Sequence, residues 1–237
     1  MNKTEPAVQR VVLMPGLWTS GYFMTFLARA MRKAGFAVSI FSCPYVRCSV
    51  ESNMDALHKL IDTFEKQPFS IITHNLGGLL ALRTLEQYQP SHFKRLVLLG
   101  SPIAGSEAAR SFGSFGLGRI MLGHSFDILS RGVNVTGDFD ISQIAGCKAE
   151  GLGRRVAKLE KLNDGGVSVS ETQASWLSDH LVVDESHAGL LFSTRVAAHT
   201  VSYLKSGNFN LAGQAFRGAK KEQRVGWASP TNPSLTS

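Results

Sequence analysis

Three residues in this 237-residue chain stand where acyl-transfer chemistry would need them. Asn75 lies in Ile71-Ile72-Thr73-His74-Asn75-Leu76-Gly77-Gly78, an apolar run that passes through a tight turn directly into an amphipathic one. Small residues on both sides, Thr73 before and Gly77 and Gly78 after, let a strand and a helix approach closely at that turn. Asp164 follows in the turn-forming Asn163-Asp164-Gly165-Gly166. His187 comes last, after a β-branched run, in Asp184-Glu185-Ser186-His187-Ala188-Gly189. A nucleophile at the first position, a histidine as general base and a carboxylate that fixes the histidine's tautomer would form a relay for covalent catalysis. Asn75 does not supply the first part. A carboxamide has no ionisable hydroxyl for His187 to deprotonate, so an acyl-enzyme route through this side chain is closed.

Competing assignments are weaker. Asp138 and Asp140 are rival acids, but they precede the strand expected at 141–145 instead of following it. His74 reads as a packing residue beside the turn. Gly116-Leu117-Gly118 resembles a piece of a dinucleotide loop but does not follow a strand in a βαβ unit. Phe112, Phe115 and Phe126 read as packing beneath a surface insertion, with an acyl-chain pocket as the other reading. Cys43, Cys48 and Cys147 are an odd count without metal-ligand spacing and read as reduced thiols, so neither a metal nor a cofactor is expected.

The elements that must position these residues alternate. Strands are expected at 8–14, 36–43, 69–73, 94–99, 141–145 and 180–183, and helices at 20–34, 51–66, 76–87 and 190–204. Runs that are apolar on both faces suit buried parallel strands, and short alternating connections imply a doubly wound α/β sheet with right-handed crossovers. Residues 103–137 break the pattern with seven glycines and read as a small cap insertion. One domain over 1–215 is expected, followed by a disordered tail over 216–237 that is first basic and then rich in Pro, Ser, Thr and Asn.

Charge and hydropathy narrow the class. Lys and Arg number 25 against 18 Asp and Glu, for a net charge of +7, but part of the excess lies in the tail. No basic run is interleaved with aromatics, which argues against nucleic acid. No apolar stretch reaches the ~18 residues of a membrane span, and no signal peptide is visible, so a cytoplasmic protein is expected.

The motifs together resemble the small bacterial lipase-like α/β-hydrolases related to triacylglycerol lipases. The resemblance covers about residues 8 to 210 and rests on VVLMPGLW, THNLGGLLALR, LLGSPIAGS, the GLGR and NDGGVSVSET stretches and HLVVDESHAGLLFS. Members carry a serine in a G-x-S-x-G elbow, followed by acid and histidine in that order. The resemblance implies cofactor-free hydrolysis of carboxylic esters or acylglycerols, with a small ester or acyl ligand as partner. It places Asn75, Asp164 and His187 at the triad positions, with the backbone N–H groups of Leu17 and Leu76 as oxyanion donors. Two positions depart from it. Asn75 replaces the serine, and Pro15 replaces the histidine of a His-Gly pair. Two changes at one site favour a natural pseudoenzyme over a single laboratory substitution. The expectation is an esterase-lineage protein inactive or impaired as written, or else a non-catalytic acyl-ligand binding protein on the same fold.

Overall fold

The computed structural model describes residues 9–150 and 159–209, together with the backbone of 223–224. Seven strands form one sheet in the order β2-β1-β3-β4-β5-β6-β7: β1 (Arg10–Met14), β2 (Ala37–Ile40), β3 (Phe69–His74), β4 (Phe93–Leu99), β5 (Ile141–Gly146), β6 (Asp179–Val183) and β7 (Gln223–Arg224). All pairings are parallel except the last, where Leu181 faces Arg224 and Val182 faces Gln223. This pair falls inside the segment expected to be a disordered tail; the rest of 216–237 lies outside the described residues.

The strands are apolar on both faces because both faces are covered. Val12, Met14, Ile71, Leu96 and Leu98 pack towards helices α2 (Val50–Asp62) and α3 (Leu76–Tyr88). Val11, Leu13, Ile72, Val97 and Leu99 pack towards α1 (Thr25–Lys33) and the C-terminal helix α8 (Thr194–Ser206). The chain steps from β1 outward to β2, returns to β3 and then moves outward the other way. The sheet therefore reverses direction between β1 and β3, the place where ligands bind at the carboxyl ends of such sheets.

Local chemistry accounts for most boundaries. Ser49 caps α2 by accepting from Ser52 N at 3.1 Å. Gly207 ends α8 in the left-handed conformation at φ 75, as a glycine there should. The helix expected over 190–204 is instead two, α7 (Gly189–Phe192) and α8, because Ser193 is extended and its hydroxyl accepts from Val196 N at 3.3 Å. The helix expected over 20–34 begins with a 3-10 turn, Gly21–Met24. The glycine-rich stretch 103–137 holds three short helices, α4 (Glu107–Gly113), α5 (Gly116–Leu122) and α6 (Phe126–Arg131). Among the described residues, no helix is long and apolar enough to cross a membrane.

Two buried histidines tie this core to pH. Burial holds the pKa of His74 well below the usual value and lowers that of His180 from 6.5 to about 4. The folded values lie below the unfolded one, so the unfolded chain binds more protons and stability falls as pH drops below about 6.5. The loss attributable to His180 continues to about pH 4. The melting temperature should decline through this window, and His180→Gln should flatten the slope. An unchanged slope in that variant would assign the acid sensitivity to other groups.

Candidate active site

Asn75 occupies the single residue between β3 and α3, at φ 52 and ψ −122. Asparagine tolerates positive φ better than most residues, so the strained turn keeps its shape without serine. Its N–H donates to Leu99 O at 3.0 Å, which ties the turn to the end of β4. The neighbouring glycines are required by close approach. A Cβ on Gly16 would lie 2.7 Å from that of Asn75, and one on Gly77 would lie 2.8 Å from Pro15 O. On Gly78 it would meet Ser101 Oγ at 2.2 Å. The loop after β1, the elbow and the end of β4 thus close on one point.

The three separated positions meet there. His187 Nδ1 lies 2.7 Å from Asp164 Oδ2, and His187 Nε2 lies 2.8 Å from Asn75 Nδ2. Asp164 is almost wholly buried, at 1% exposure. Its other oxygen, Oδ1, accepts from the N–H groups of Gly166 at 2.9 Å and Val167 at 2.7 Å. A backbone bond from His187 N to Asp164 O, at 2.8 Å, locks the two loops together. Gly100, at φ 58, leaves space for both partners; a Cβ there would sit 3.1 Å from His187 Nδ1 and 3.2 Å from Asp164 Oδ2.

The hydrogen bonds fix the proton positions. Asn75 Oδ1 accepts from Leu76 N at 2.7 Å, so Nδ2 is the group turned to His187. A carboxamide nitrogen only donates, so His187 Nε2 accepts and its proton sits on Nδ1, donated to Asp164. This tautomer is the one a general base needs. Here it is held by a group that has no nucleophilic oxygen to offer it.

The site departs from expectation at the oxyanion positions. Leu76 N–H, expected to be free for a substrate oxygen, is already taken by Asn75 Oδ1. Leu17 follows Gly16 in the loop that abuts Asn75 and lines an open cleft of about 310 Å³. Pro15 carries no donor, but its carbonyl accepts from the Tyr45 hydroxyl at 2.8 Å, which anchors the loop from the far side.

His74 does more than pack. Its Nε2 lies 3.1 Å from His187 O and its ring centroid 4.5 Å from that of His187. A carbonyl only accepts, so Nε2 carries the proton, and burial disfavours a second one. His74 therefore positions the backbone of His187. Tyr45 and Gly100 also serve the site; no sequence spacing points to either. Asp140 is engaged elsewhere, with Arg95 Nε at 2.7 Å and the Tyr203 hydroxyl. Phe112 packs edge-on against Trp18, Phe126 lies beneath Arg119, and Phe115 is exposed. The three cysteines are free, and burial pushes the Cys43 thiol up to about 12, which removes it as a nucleophile at neutral pH. Among the described residues, no cluster of His, Cys, Asp and Glu has the form of a metal site.

Packing at the elbow gives a direct test. Gly16→Ala and Gly78→Ala force a methyl group against Asn75 or Ser101 and should each cost roughly 1–3 kcal/mol in urea unfolding. Gly116→Ala, which meets nothing within 4 Å, should be neutral or slightly stabilising.

Neither a protein-family model nor a curated protein matches the sequence. Solved structures do match. A carboxyl esterase of metagenomic origin aligns with TM-score 0.63 at 19% identity over 77% of this chain and 65% of its own. A bromoperoxidase from Bacillus anthracis aligns with TM-score 0.59 at 14% identity over 84% of this chain and 92% of its own. A meta-cleavage product hydrolase from Pseudomonas fluorescens aligns with TM-score 0.58 at 16% identity over 84% and 92%. The chain thus spans just under two thirds of the length of that esterase. Sheet order, elbow and these likenesses agree: the chain has the α/β-hydrolase fold.

Proposed function

We propose that this chain belongs to the carboxylic-ester hydrolase lineage and is blocked at the nucleophile, with Asn75, Asp164 and His187 at the catalytic positions. One observation carries the reading. The Asn75 carboxamide spans the two groups that a serine hydrolase uses separately, the histidine Nε2 and the first oxyanion N–H. A serine at this position would give its proton to His187 and leave Leu76 N–H for the carbonyl oxygen of the ester. The carboxamide instead satisfies both groups internally, so the site has neither an attacking atom nor a free Leu76 donor. Asp164, buried and doubly bonded to backbone N–H groups, holds His187 as an active enzyme would.

A second reading is favoured by the open cleft beside Leu17: a protein that binds an acyl or ester ligand without turning it over. The two readings share the site and differ in whether chemistry was the selected property.

Hydrolysis of short- and long-chain 4-nitrophenyl esters tests the lineage. The unaltered chain should show negligible turnover, since loss of a triad nucleophile leaves only a residual ~10³–10⁴-fold acceleration over water. Asn75→Ser places a smaller hydroxyl-bearing side chain at the same turn and frees Leu76 N–H. It should raise the rate by at least about 10³-fold, and His187→Ala in that background should abolish the gain. If the loop after β1 is misaligned for oxyanion binding, full recovery needs Pro15→His as well, because one missing donor costs ~10²–10³ in rate. Robust turnover by the unaltered chain, lost on His187→Ala, would overturn the blocked-nucleophile reading.

A further inference from the structure

The cleft of about 310 Å³ opens at Gly16 and Leu17, beside Asn75, and continues between Trp18 and the loop carrying Cys43, Tyr45 and Arg47. Its lining comes from the loops that leave the carboxyl ends of β1 and β2, the loop after β1 being the one that abuts the elbow. Its size lies at the small end of the ~300–1,000 Å³ range of ligand clefts, enough for one ring and a few carbons.

Two walls of this cleft are built in ways the fold does not require. Trp18 has φ 58, a conformation that bulky residues rarely adopt, and leaves its indole 62% exposed. Its ring meets Phe112 of α4 edge-on, with centroids 6.0 Å apart, so the indole is held at the mouth instead of folding into the core. Arg47, also in the lining, is exposed and has no carboxylate within salt-bridge distance among the described residues. Among the described residues, no Asp or Glu lines the cleft, and the Cys43 thiol and Tyr45 hydroxyl are held neutral by burial. Among the described residues, Arg47 is therefore the one charge in the lining.

An aromatic wall, a neutral floor and a single unpaired guanidinium are complementary to an apolar body that ends in an anion. The guanidinium fork bonds a carboxylate or a phosphate in the same two-point manner, and an aromatic face takes an aryl or short alkyl body by contact. We propose that this cleft binds a small amphipathic acid, its apolar body against Trp18 and its anionic head on Arg47. This rests on the reading that the Asn75–His187 site is a ligand site, and it names the class of ligand: one that carries a negative charge away from the elbow.

Titration calorimetry of the full chain with three probes tests it: 4-phenylbutyrate, phenyl phosphate and the neutral 4-phenylbutyramide. At least one anion should bind saturably and several-fold more tightly than the amide, and the stronger of the two identifies the head group. Arg47→Ala should weaken that anion about fivefold, leave the amide unchanged and abolish the weakening of anion binding by added salt. Arg47→Lys should retain part of the affinity. Arg47 is exposed, so an unchanged melting temperature confirms that the variant is folded. Trp18→Ala should weaken all three probes, and the fluorescence change on binding should vanish in Trp18→Phe. Absence of saturable binding by either anion, equal affinity for anion and amide, or indifference to Arg47→Ala would each overturn the proposal. Failure here alongside ester turnover by Asn75→Ser would remove the anion preference and leave the lineage intact. Charge-dependent binding alongside an inert Asn75→Ser would do the reverse.

Discussion

One residue at positive φ connects the halves of this molecule. At Asn75 the chain leaves the central strand β3, reverses through a conformation that most side chains resist, and enters α3 at once. The close approach this requires explains why Gly16, Gly77 and Gly78 carry no side chain. It also explains why the loop after β1 and the end of β4 converge on the same point. Asp164 and His187 arrive on loops that follow β5 and β6, and their backbone bond holds the far side of the site. The sheet provides rigidity, while the turn decides where the polar groups are displayed.

The carboxamide shapes the electrostatics around it. A buried Asp164, two backbone N–H donors and His187 form a chain of bonds in which every proton has an assigned place. Asn75 completes that chain at its open end and continues it to Leu76 N–H. A network satisfied throughout is rigid, and a buried network left unsatisfied is costly. His74 adds a support from beneath, through the carbonyl of His187. The Asp164–His187 pair thus has a structural basis for persisting even where it performs no proton transfer, since removing Asp164 would leave a half-buried histidine N–H without its acceptor.

Much of this was legible in the residues. Runs apolar on both faces gave the buried parallel strands, and the order of Asn75, Asp164 and His187 along the chain anticipated their meeting in space. The break of the last helix at Ser193 was written in a capping residue that a long apolar period concealed. Other features had no local signal. Tyr45 reaches Pro15 O across 30 positions of sequence, and Gly100 is required only because β4 ends beneath His187. The capture of Leu76 N–H depends on the rotamer of one side chain, which sequence pattern does not encode. Trp18 looked like part of a strand-end motif, and only its backbone angle and exposure mark it as a cleft wall.

The elbow also has a genetic meaning. Asparagine and serine are linked by a transition at the second base of the codon, so a hydroxyl at position 75 is one nucleotide away. Here the positive-φ turn, the glycine clearances and the oriented His187 are all kept by packing that asparagine itself completes. The chain can therefore drift elsewhere while this corner keeps its shape, and a serine placed at position 75 by a single point mutation would enter a turn already formed.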